Sequence, residues 1–352
     1  MFITGLGTAS PPQCYSQKEC WDTLLKSKKF YELETRSRAI LKKVLTSDNG
    51  IATRHLALDD LNEAFDLTPD ALHARFAKYA PMLASTAAEK ALSDAGVRPE
   101  DIGALIISTC TGYLCPGLTS YVSERLKLRP DATLLDLVGQ GCAAAVPNLR
   151  TAEALLTAGK CHHVLSICVE VCSAALFFDN DPGVLISACL FGDGAGAAVL
   201  ANEPAADRRI EWQTSGSWLE PADRDLLRFE QKDGMLRNRL AQQVPMLAAR
   251  YAEKVLSGAL AKADLPRSQV AGWVFHPGGR DVLLALRQEL GLSATDLRWS
   301  ESVLREYGNL SSASLYFVLK SAFADSAPNG RWWMSSFGAG FSCHGALLQV
   351  ET

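Results

Sequence analysis

Apolar residues recur along this chain in two textures, short unbroken runs of strand length and longer Ala- and Leu-rich stretches. Met1–Gly7 reads as a first short strand, followed by a polar segment with basic residues from Lys26 to Lys43. Pro81–Ala95 predicts a helix closed by Gly96, a residue that takes the left-handed C-terminal stop without strain. After the Arg98-Pro-Glu-Asp turn, Ile102–Thr109 is apolar without alternation, the pattern of a strand covered on both faces. A helix over about Leu118–Leu128 and a strand over about Thr133–Val138 follow. A helix from after Cys142 to about Ala158, then strands Val164–Val171 and Ala195–Leu200, complete a first half.

The Pro- and Ala-containing linker Asn202–Asp207 leads to a second half that begins near Ile210. It carries a long helix over about Gln243–Ala263, the strand Val270–Phe275, and helices at Arg280–Leu290 and about Ser311–Ala324. Strands Trp332–Ser336 and His344–Val350 end the chain. Each half closes on a small-residue segment, Phe191-Gly-Asp-Gly-Ala-Gly and Phe337-Gly-Ala-Gly. The layout predicts an α/β protein of two pseudo-duplicated halves, 1–205 and 206–352.

Composition narrows the classes. In 352 residues, 48% are hydrophobic and 21% charged, which suits a globular chain and excludes a disordered or fibrous one. A net charge of −4 with no basic block argues against a nucleic-acid partner. No apolar run reaches the ~18 residues of a spanning helix; Gly183–Leu200 comes closest and contains Asp193. The 10 cysteines are scattered, so a cytoplasmic protein with reduced thiols is expected. Lys26–Lys43 reads as a solvated helix face, with contact to acidic lipid at a membrane surface or to a carrier protein left open. Cys161-His162-His163 near Cys168 and Cys172 matches no zinc spacing, so no metal is expected. Gly192–Gly196 lacks the Lys-Ser/Thr that a nucleotide loop needs, and Trp332-Trp333 reads as core.

Three positions carry candidate chemistry. Cys142 lies between a predicted strand and a predicted helix, with Gly139 and Gly141 before it and Ala143-Ala-Ala145 after it. Small neighbours let a substrate approach the sulfur, and a helix N-terminus would lower its pKa toward thiolate. His276 ends the apolar run Gly272-Trp-Val-Phe275 and precedes Pro277-Gly-Gly279, where α/β sites assemble. Asn309 stands at a helix entry in Tyr307-Gly-Asn-Leu-Ser-Ser-Ala313, a place that an ordinary cap also fits. Together they supply a nucleophile, an imidazole and a carboxamide donor. A Cys–His pair would hold thiolate and imidazolium, and His with Asn would hold an oxyanion, a set suited to thioester chemistry without a metal.

Gln140-Gly-Cys142-Ala, His276-Pro-Gly-Gly279 and Glu306-Tyr-Gly-Asn309-Leu-Ser-Ser-Ala313 resemble the active-site motifs of the type III polyketide synthases, the chalcone-synthase-like members of the thiolase superfamily. The resemblance extends over nearly the whole chain, including Leu190-Phe-Gly-Asp-Gly194 and Phe337-Gly-Ala-Gly340. Ketoacyl synthase III enzymes share a Cys, a His and an Asn but normally lack the His-Pro-Gly-Gly motif. Arg228–Arg237 and Phe341-Ser-Cys-His-Gly345 resemble bacterial alkylresorcinol and alkylpyrone synthases more than plant enzymes. The resemblance implies a five-layered αβαβα thiolase-like fold and a homodimer. It implies that acyl-CoA or acyl-carrier-protein starters and malonyl-CoA are the substrates, with no cofactor beyond these thioesters.

By the same resemblance Cys142 would carry the acyl group, and His276 and Asn309 would stabilise the enolate left by malonyl-CoA decarboxylation. Phe191 would match a gatekeeper between the CoA tunnel and the cavity, and Arg54 a residue that meets CoA phosphates, with Gly278 and Gly279 beside the CoA arm. Cys110-Thr111-Gly112 stands where plant enzymes carry Thr-Ser-Gly, and Cys115 where a Met crosses into the partner subunit's cavity. Cys172 and Ala175 replace larger or polar cavity residues, while Ser311, Phe337 and Gly338 belong to the substrate region, with Ala339 in place of a Pro. Smaller residues imply an enlarged or tunnelled cavity, and burying an alkyl chain gains about 0.8 kcal/mol per CH₂. A long acyl starter and an alkylresorcinol or alkylpyrone product are expected. The alternatives are a small phloroglucinol, tetrahydroxynaphthalene or dihydroxyphenylacetate scaffold, or a catalytically dead scaffold.

Overall fold

Strands that are apolar on both faces need helices on both sides, and the computed structural model shows how this chain provides them. It describes residues 1–205, 208–325 and 327–351. Ala206 and Asp207, at the expected boundary and the end of the expected linker, lie outside the described residues.

The first half contributes β1 (Phe2–Ala9), β2 (Cys14–Ser16), β3 (Thr53–His55), β4 (Ala104–Ser108), β5 (Thr133–Leu137), β6 (His163–Glu170) and β7 (Gly194–Ala201). The second contributes β8 (Arg209–Leu219), β9 (Leu227–Lys232), β10 (Met235–Leu240), β11 (Val270–Phe275), β12 (Gly330–Gly338) and β13 (Ser342–Glu351). Nine of them form one mixed sheet, in the order β11-β12-β13-β8-β1-β7-β6-β4-β5. Its two parts join where Phe2 of β1 pairs with Glu211 of β8. On one side β4 and β6 run parallel, β6 and β7 antiparallel, and β7 and β1 antiparallel. The pairs β11–β12, β12–β13 and β13–β8 repeat those relations in the same order, which is the duplication that the sequence layout suggested.

Side-chain alternation sorts the layers. Val164 and Cys168 of β6 face the middle of the molecule with Ile106 of β4, while Leu165, Ile167 and Val169 face outward. The outward set packs on Phe76, Leu83 and Ala87 of helix Pro69–Ala95 and Val122 of helix Leu118–Leu126. The middle layer holds helices Ala145–Thr157 and Ser314–Ala324, through Val146, Leu149, Leu315 and Val318. Trp332 and Met334 of β12 close that layer from the other side, while Trp333 turns away toward helices Val244–Lys262 and Arg280–Leu290. Helix, sheet, helix, sheet and helix therefore stack as the five-layered thiolase-like fold.

Pro81 does not start its helix. The helix begins at Pro69 behind the Thr68 cap, and Pro81 lies inside it. Loss of one backbone hydrogen bond makes proline a natural stop signal, but the buried face Leu72, Phe76, Tyr79, Leu83 and Ala87 continues across it and packing prevails. Gly5 and Gly7 permit this contact: a Cβ on either would stand 2.2 and 2.0 Å from the carbonyls of Ala91 and Ala87. The basic segment folds as helices Gln17–Lys26, Lys28–Glu32 and Thr35–Thr46, with Leu24, Leu41 and Leu45 turned inward. The β9–β10 hairpin and helices Pro182–Leu190 and Arg298–Tyr307 were not anticipated from the apolar pattern. No helix among the described residues is long and apolar enough to cross a membrane.

One polar knot ties the middle layer to the first sheet. Asn148 is fully buried; its Nδ2 donates to Ser108 Oγ at 2.9 Å and the Ile167 carbonyl at 3.0 Å. Its Oδ1 accepts from Ser166 Oγ at 2.8 Å, so the Tyr316 hydroxyl, 2.8 Å from that Oγ, is the donor there. Replacing Asn148 with Ala strands two buried hydroxyls and is expected to cost about 3 kcal/mol. Chemical denaturation should show a lower midpoint with an unchanged slope, and Ser166→Ala should show a smaller loss of about 1 kcal/mol.

Candidate active site

Cys142 sits in a single tight turn, Gly141–Ala143, between β5 and helix Ala145–Thr157. Gly139 and Gly141 hold φ of 87° and 55°, which a residue with a Cβ adopts only under strain. The second half presses directly on this turn. A Cβ on Gly338 would lie 2.5 Å from the Ala143 nitrogen, and Ser336 Oγ donates to the Ala143 carbonyl at 2.9 Å.

His276 follows β11, anchored by its main-chain N–H to the Ser335 carbonyl at 2.9 Å. Its ring stands edge-on to Phe337 at 5.1 Å, and its buried Nδ1 has no hydrogen-bond partner. Asn309 is held at backbone and side chain alike. Its N–H donates to the Leu190 carbonyl at 2.9 Å, its carbonyl accepts from Gly192 N–H at 3.0 Å, and it forms a β-bridge with Phe191. Its Nδ2 donates to the Gly278 carbonyl at 3.1 Å, and its Oδ1 accepts from the Ser311 N–H at 2.8 Å. Ser311 then turns its Oγ to the Cys142 sulfur, 3.3 Å away. A continuous set of contacts thus runs from Cys142 through Ser311 and Asn309 to the Gly278 turn beside His276.

Burial governs the electrostatics. Desolvation pushes the Cys142 thiol up to about 12; the Ser311 hydrogen bond opposes this, while the Glu170 carboxylate adds to it. Desolvation alone drives His276 down to about 3. Burial thus favours the neutral thiol and the neutral imidazole, and it works against the thiolate–imidazolium pair expected from the sequence.

Glu170, at the end of β6, is a hub that the sequence motifs do not mark. It is fully buried and accepts from Cys110 N–H at 3.0 Å, Thr111 Oγ1 at 2.9 Å, Ser311 Oγ at 3.3 Å and Ser312 Oγ. Burial raises its pKa in spite of these donors. The available signal was a carboxylate closing an otherwise apolar strand.

Cys110, Thr111, Cys142, Cys172, Ala175, Phe191 and Ser311 line one cavity with about 610 Å³ of empty space. Its other walls are largely apolar, among them Leu176, Phe177, Val184, Leu227 and Phe229. A wider opening of about 1410 Å³ adjoins it through Cys110, Thr111, Gly141, Arg228, Phe229 and Ala339. Phe337 and Gly338 back the Cys142 turn and the His276 ring and are not part of that wall. Gly279, at φ 153°, leads into helix Arg280–Leu290. Cys115 is exposed and lies outside this chain's own cavity. Arg54 is placed differently from the expectation. It is buried, and its guanidinium donates to Gln17 Oε1 at 3.2 Å and to the carbonyls of Ala188 and Phe191, each at 3.0 Å. A guanidinium whose Nε and Nη1 are committed to Gln17 and to main-chain carbonyls inside the protein braces the Phe191 turn, a different role from the CoA-phosphate contact expected.

Comparison with known proteins agrees with this architecture. Residues 1–204 match the N-terminal domain of chalcone and stilbene synthases, and residues 220–350 match their C-terminal domain. The chain is 28% identical to the alpha-pyrone synthesis polyketide synthase-like Pks18 of Mycobacterium tuberculosis, covering 99% of this chain and 91% of that protein. It is 29% identical to the 3,5-dihydroxyphenylacetyl-CoA synthase of Amycolatopsis orientalis, covering 99% and 93%. The crystal structure of PKS-I from the brown alga Ectocarpus siliculosus superposes with a TM-score of 0.90 at 27% identity, covering 99% of this chain and 97% of that one. The chain therefore belongs to the chalcone and stilbene synthase family and is a type III polyketide synthase, a condensing enzyme of the acyltransferase type.

Proposed function

We propose that this enzyme loads a long acyl starter, delivered by CoA or a carrier protein, onto Cys142 and extends it repeatedly with malonyl-CoA. The chain is then cyclised to an alkylpyrone or alkylresorcinol. The observation that carries this reading is the chain of contacts from Cys142 and Ser311, which line a largely apolar cavity, to Asn309 and on to Gly278 in the His276-Pro-Gly-Gly turn. Residues 1–205 supply the thiol and 206–352 the imidazole and carboxamide.

In the cycle, the Cys142 sulfur attacks the starter thioester as its proton passes to His276, and CoA leaves as the free thiol. Malonyl-CoA loses carbon dioxide, and the electrons of the broken bond become an enolate at the thioester. A neutral imidazole N–H and the Asn309 Nδ2 are the donors for that oxyanion, and fixed donors in a dry site act without reorganisation. The enolate carbon attacks the acyl carbonyl, Cys142 departs as thiolate and takes up a proton from solvent, because its first proton left with CoA, and a chain longer by one ketide unit remains on CoA. Loss of carbon dioxide supplies the carbanion, so the cycle calls on no cofactor beyond the thioesters.

Apolar walls and small residues at Cys110, Cys172 and Ala175 support a long starter, and the similarity to an alpha-pyrone synthesis protein supports a pyrone. A small aromatic product is the second reading, supported by comparable similarity to a 3,5-dihydroxyphenylacetyl-CoA synthase. The enzyme acts as a homodimer in this reading. β5 is an edge strand with exposed Leu134, followed by exposed Val138, and Tyr113 and Cys115 are exposed as well.

Mass spectrometry of the intact protein after incubation with acyl-CoAs from hexanoyl to palmitoyl tests the assignment. Cys142→Ala should carry no acyl adduct, and Asn309→Ala should load normally but decarboxylate malonyl-CoA about 10²- to 10³-fold more slowly. Undiminished product from Cys142→Ala would sink the mechanism, and turnover of short starters alone would sink the long-chain reading.

The pH dependence follows from the direction of the shifts. A thiol pushed up to about 12 stays protonated through neutrality, so its thiolate fraction grows about tenfold per pH unit below that value. Alkylation of Cys142 by iodoacetamide should therefore climb steadily from about pH 6 to about pH 10. A plateau beginning near neutral pH would mean that thiolate and imidazolium pair after all.

A further inference from the structure

A second, apolar cavity lies behind Phe191 under the N-terminal helices. Cys20 and Leu24 of helix Gln17–Lys26 and Leu41 and Leu45 of helix Thr35–Thr46 form much of its wall. Leu176, Ala188 and Phe191 belong to the walls of both this cavity and the catalytic one. One layer of side chains thus separates the two spaces.

The backbone of that partition is fixed. Phe191 accepts at its carbonyl from Arg54 Nη1 at 3.0 Å, and Ala188 accepts from the same nitrogen at 3.0 Å. The Cys189 carbonyl accepts from Gln17 Nε2 at 3.0 Å, and Phe191 bridges to Asn309. None of these bonds involves the phenyl ring, so a change of rotamer at Phe191 can open the partition without breaking one.

We propose that the distal methylenes of an acyl chain carried on Cys142 pass Phe191 and occupy this second cavity, which then sets the preferred starter length. The inference rests on the long-chain reading above. The chemistry of the wall selects an alkyl chain over the CoA arm. The polar side chains in it are Arg54 and Ser173, both engaged: Arg54 as described, and Ser173 Oγ with Asp193 at 2.6 Å. A pantetheine arm would leave its amides unpaired there, whereas methylenes lose nothing and gain the transfer out of water.

Photolabelling of the wild-type enzyme tests this directly. The probe is palmitoyl-CoA with a diazirine at the end of its chain, loaded onto Cys142 and then irradiated. Dinitrogen leaves, and the carbene inserts into the nearest C–H or S–H bond. Peptide mapping is expected to find label on helix Gln17–Lys26, helix Thr35–Thr46 or Cys189. Label confined to Phe76, Met235 or Leu236, which line the wider opening, would overturn the proposal while leaving the long-chain reading intact. Failure of the probe to acylate Cys142 would overturn both.

Filling the cavity gives a second arm. Cys20→Phe, with Cys189→Leu as a milder substitution, should slow palmitoyl loading about tenfold relative to hexanoyl loading. An equal rise in KM for malonyl-CoA and for every starter would instead mark the space as a passage for the CoA arm and overturn the proposal.

Discussion

The backbone bridge between Phe191 and Asn309 is the contact on which this active site depends. Phe191 follows helix Pro182–Leu190 in the first half, and Asn309 follows helix Arg298–Tyr307 in the second. Paired hydrogen bonds from Asn309 N–H to Leu190 and from Gly192 N–H to Asn309 close that junction. Gly308 makes the approach achievable, with φ at 72° and room for no side chain: a Cβ there would stand 2.7 Å from the Leu190 carbonyl. Once this junction is set, the Asn309 carboxamide reaches Gly278 on one side and Ser311 on the other, and Ser311 reaches Cys142. Two duplicated halves become one site because main-chain atoms fix the junction, the Phe191 ring faces the cavity and the Asn309 carboxamide ties in Gly278 and Ser311.

Dryness is the second constraint, and it acts on Cys142, His276 and Glu170 alike. Cys142 is driven up, His276 down and Glu170 up by the same removal from water. Asp193 shows how much hydrogen bonding such burial demands. It accepts from Ala57 N–H, Ser173 N–H and Ser173 Oγ, and burial still raises it. A neutral imidazole beside a neutral thiol suits a thioester condensation, because the proton moves only when the sulfur attacks. The resting site then carries no exposed thiolate for stray electrophiles to trap.

Much of this was legible in the sequence. Apolar runs without alternation announced a sheet covered on both faces, and β4, β6, β7 and β11 stand where those runs stood. Cys142, His276 and Asn309 were legible because each lies among glycines at the end of an element, and a tight turn leaves its mark in composition. What was not legible depends on three-dimensional burial. Arg54 follows a polar segment and looks like a surface cation, and nothing local reveals that its Nη1 is committed to the carbonyls of Ala188 and Phe191. Glu170 draws its partners from Cys110 and Thr111 on one side and Ser311 and Ser312 on the other, far apart in the chain. The upward push on the Cys142 thiol has a related origin: a helix N-terminus is visible in a sequence, whereas desolvation in the folded protein is not.

These two constraints together bear on the direction of the proposed chemistry. A malonyl carboxylate in an apolar cavity leaves more readily as uncharged carbon dioxide when no free cation holds it there. The cation lining the cavity is Arg228, already drawn to Glu230 at 2.9 Å, a carboxylate it shares with Arg237, and to Asp225 at 3.5 Å. Arg54, the other guanidinium near the Phe191 turn, is committed to carbonyls behind the partition. Charge developing on the thioester oxygen, by contrast, would meet an imidazole and a carboxamide held by backbone on both sides of the junction. The site thus offers little to the charge that disappears and fixed dipoles to the charge that forms, which is the differential binding that accelerates a reaction.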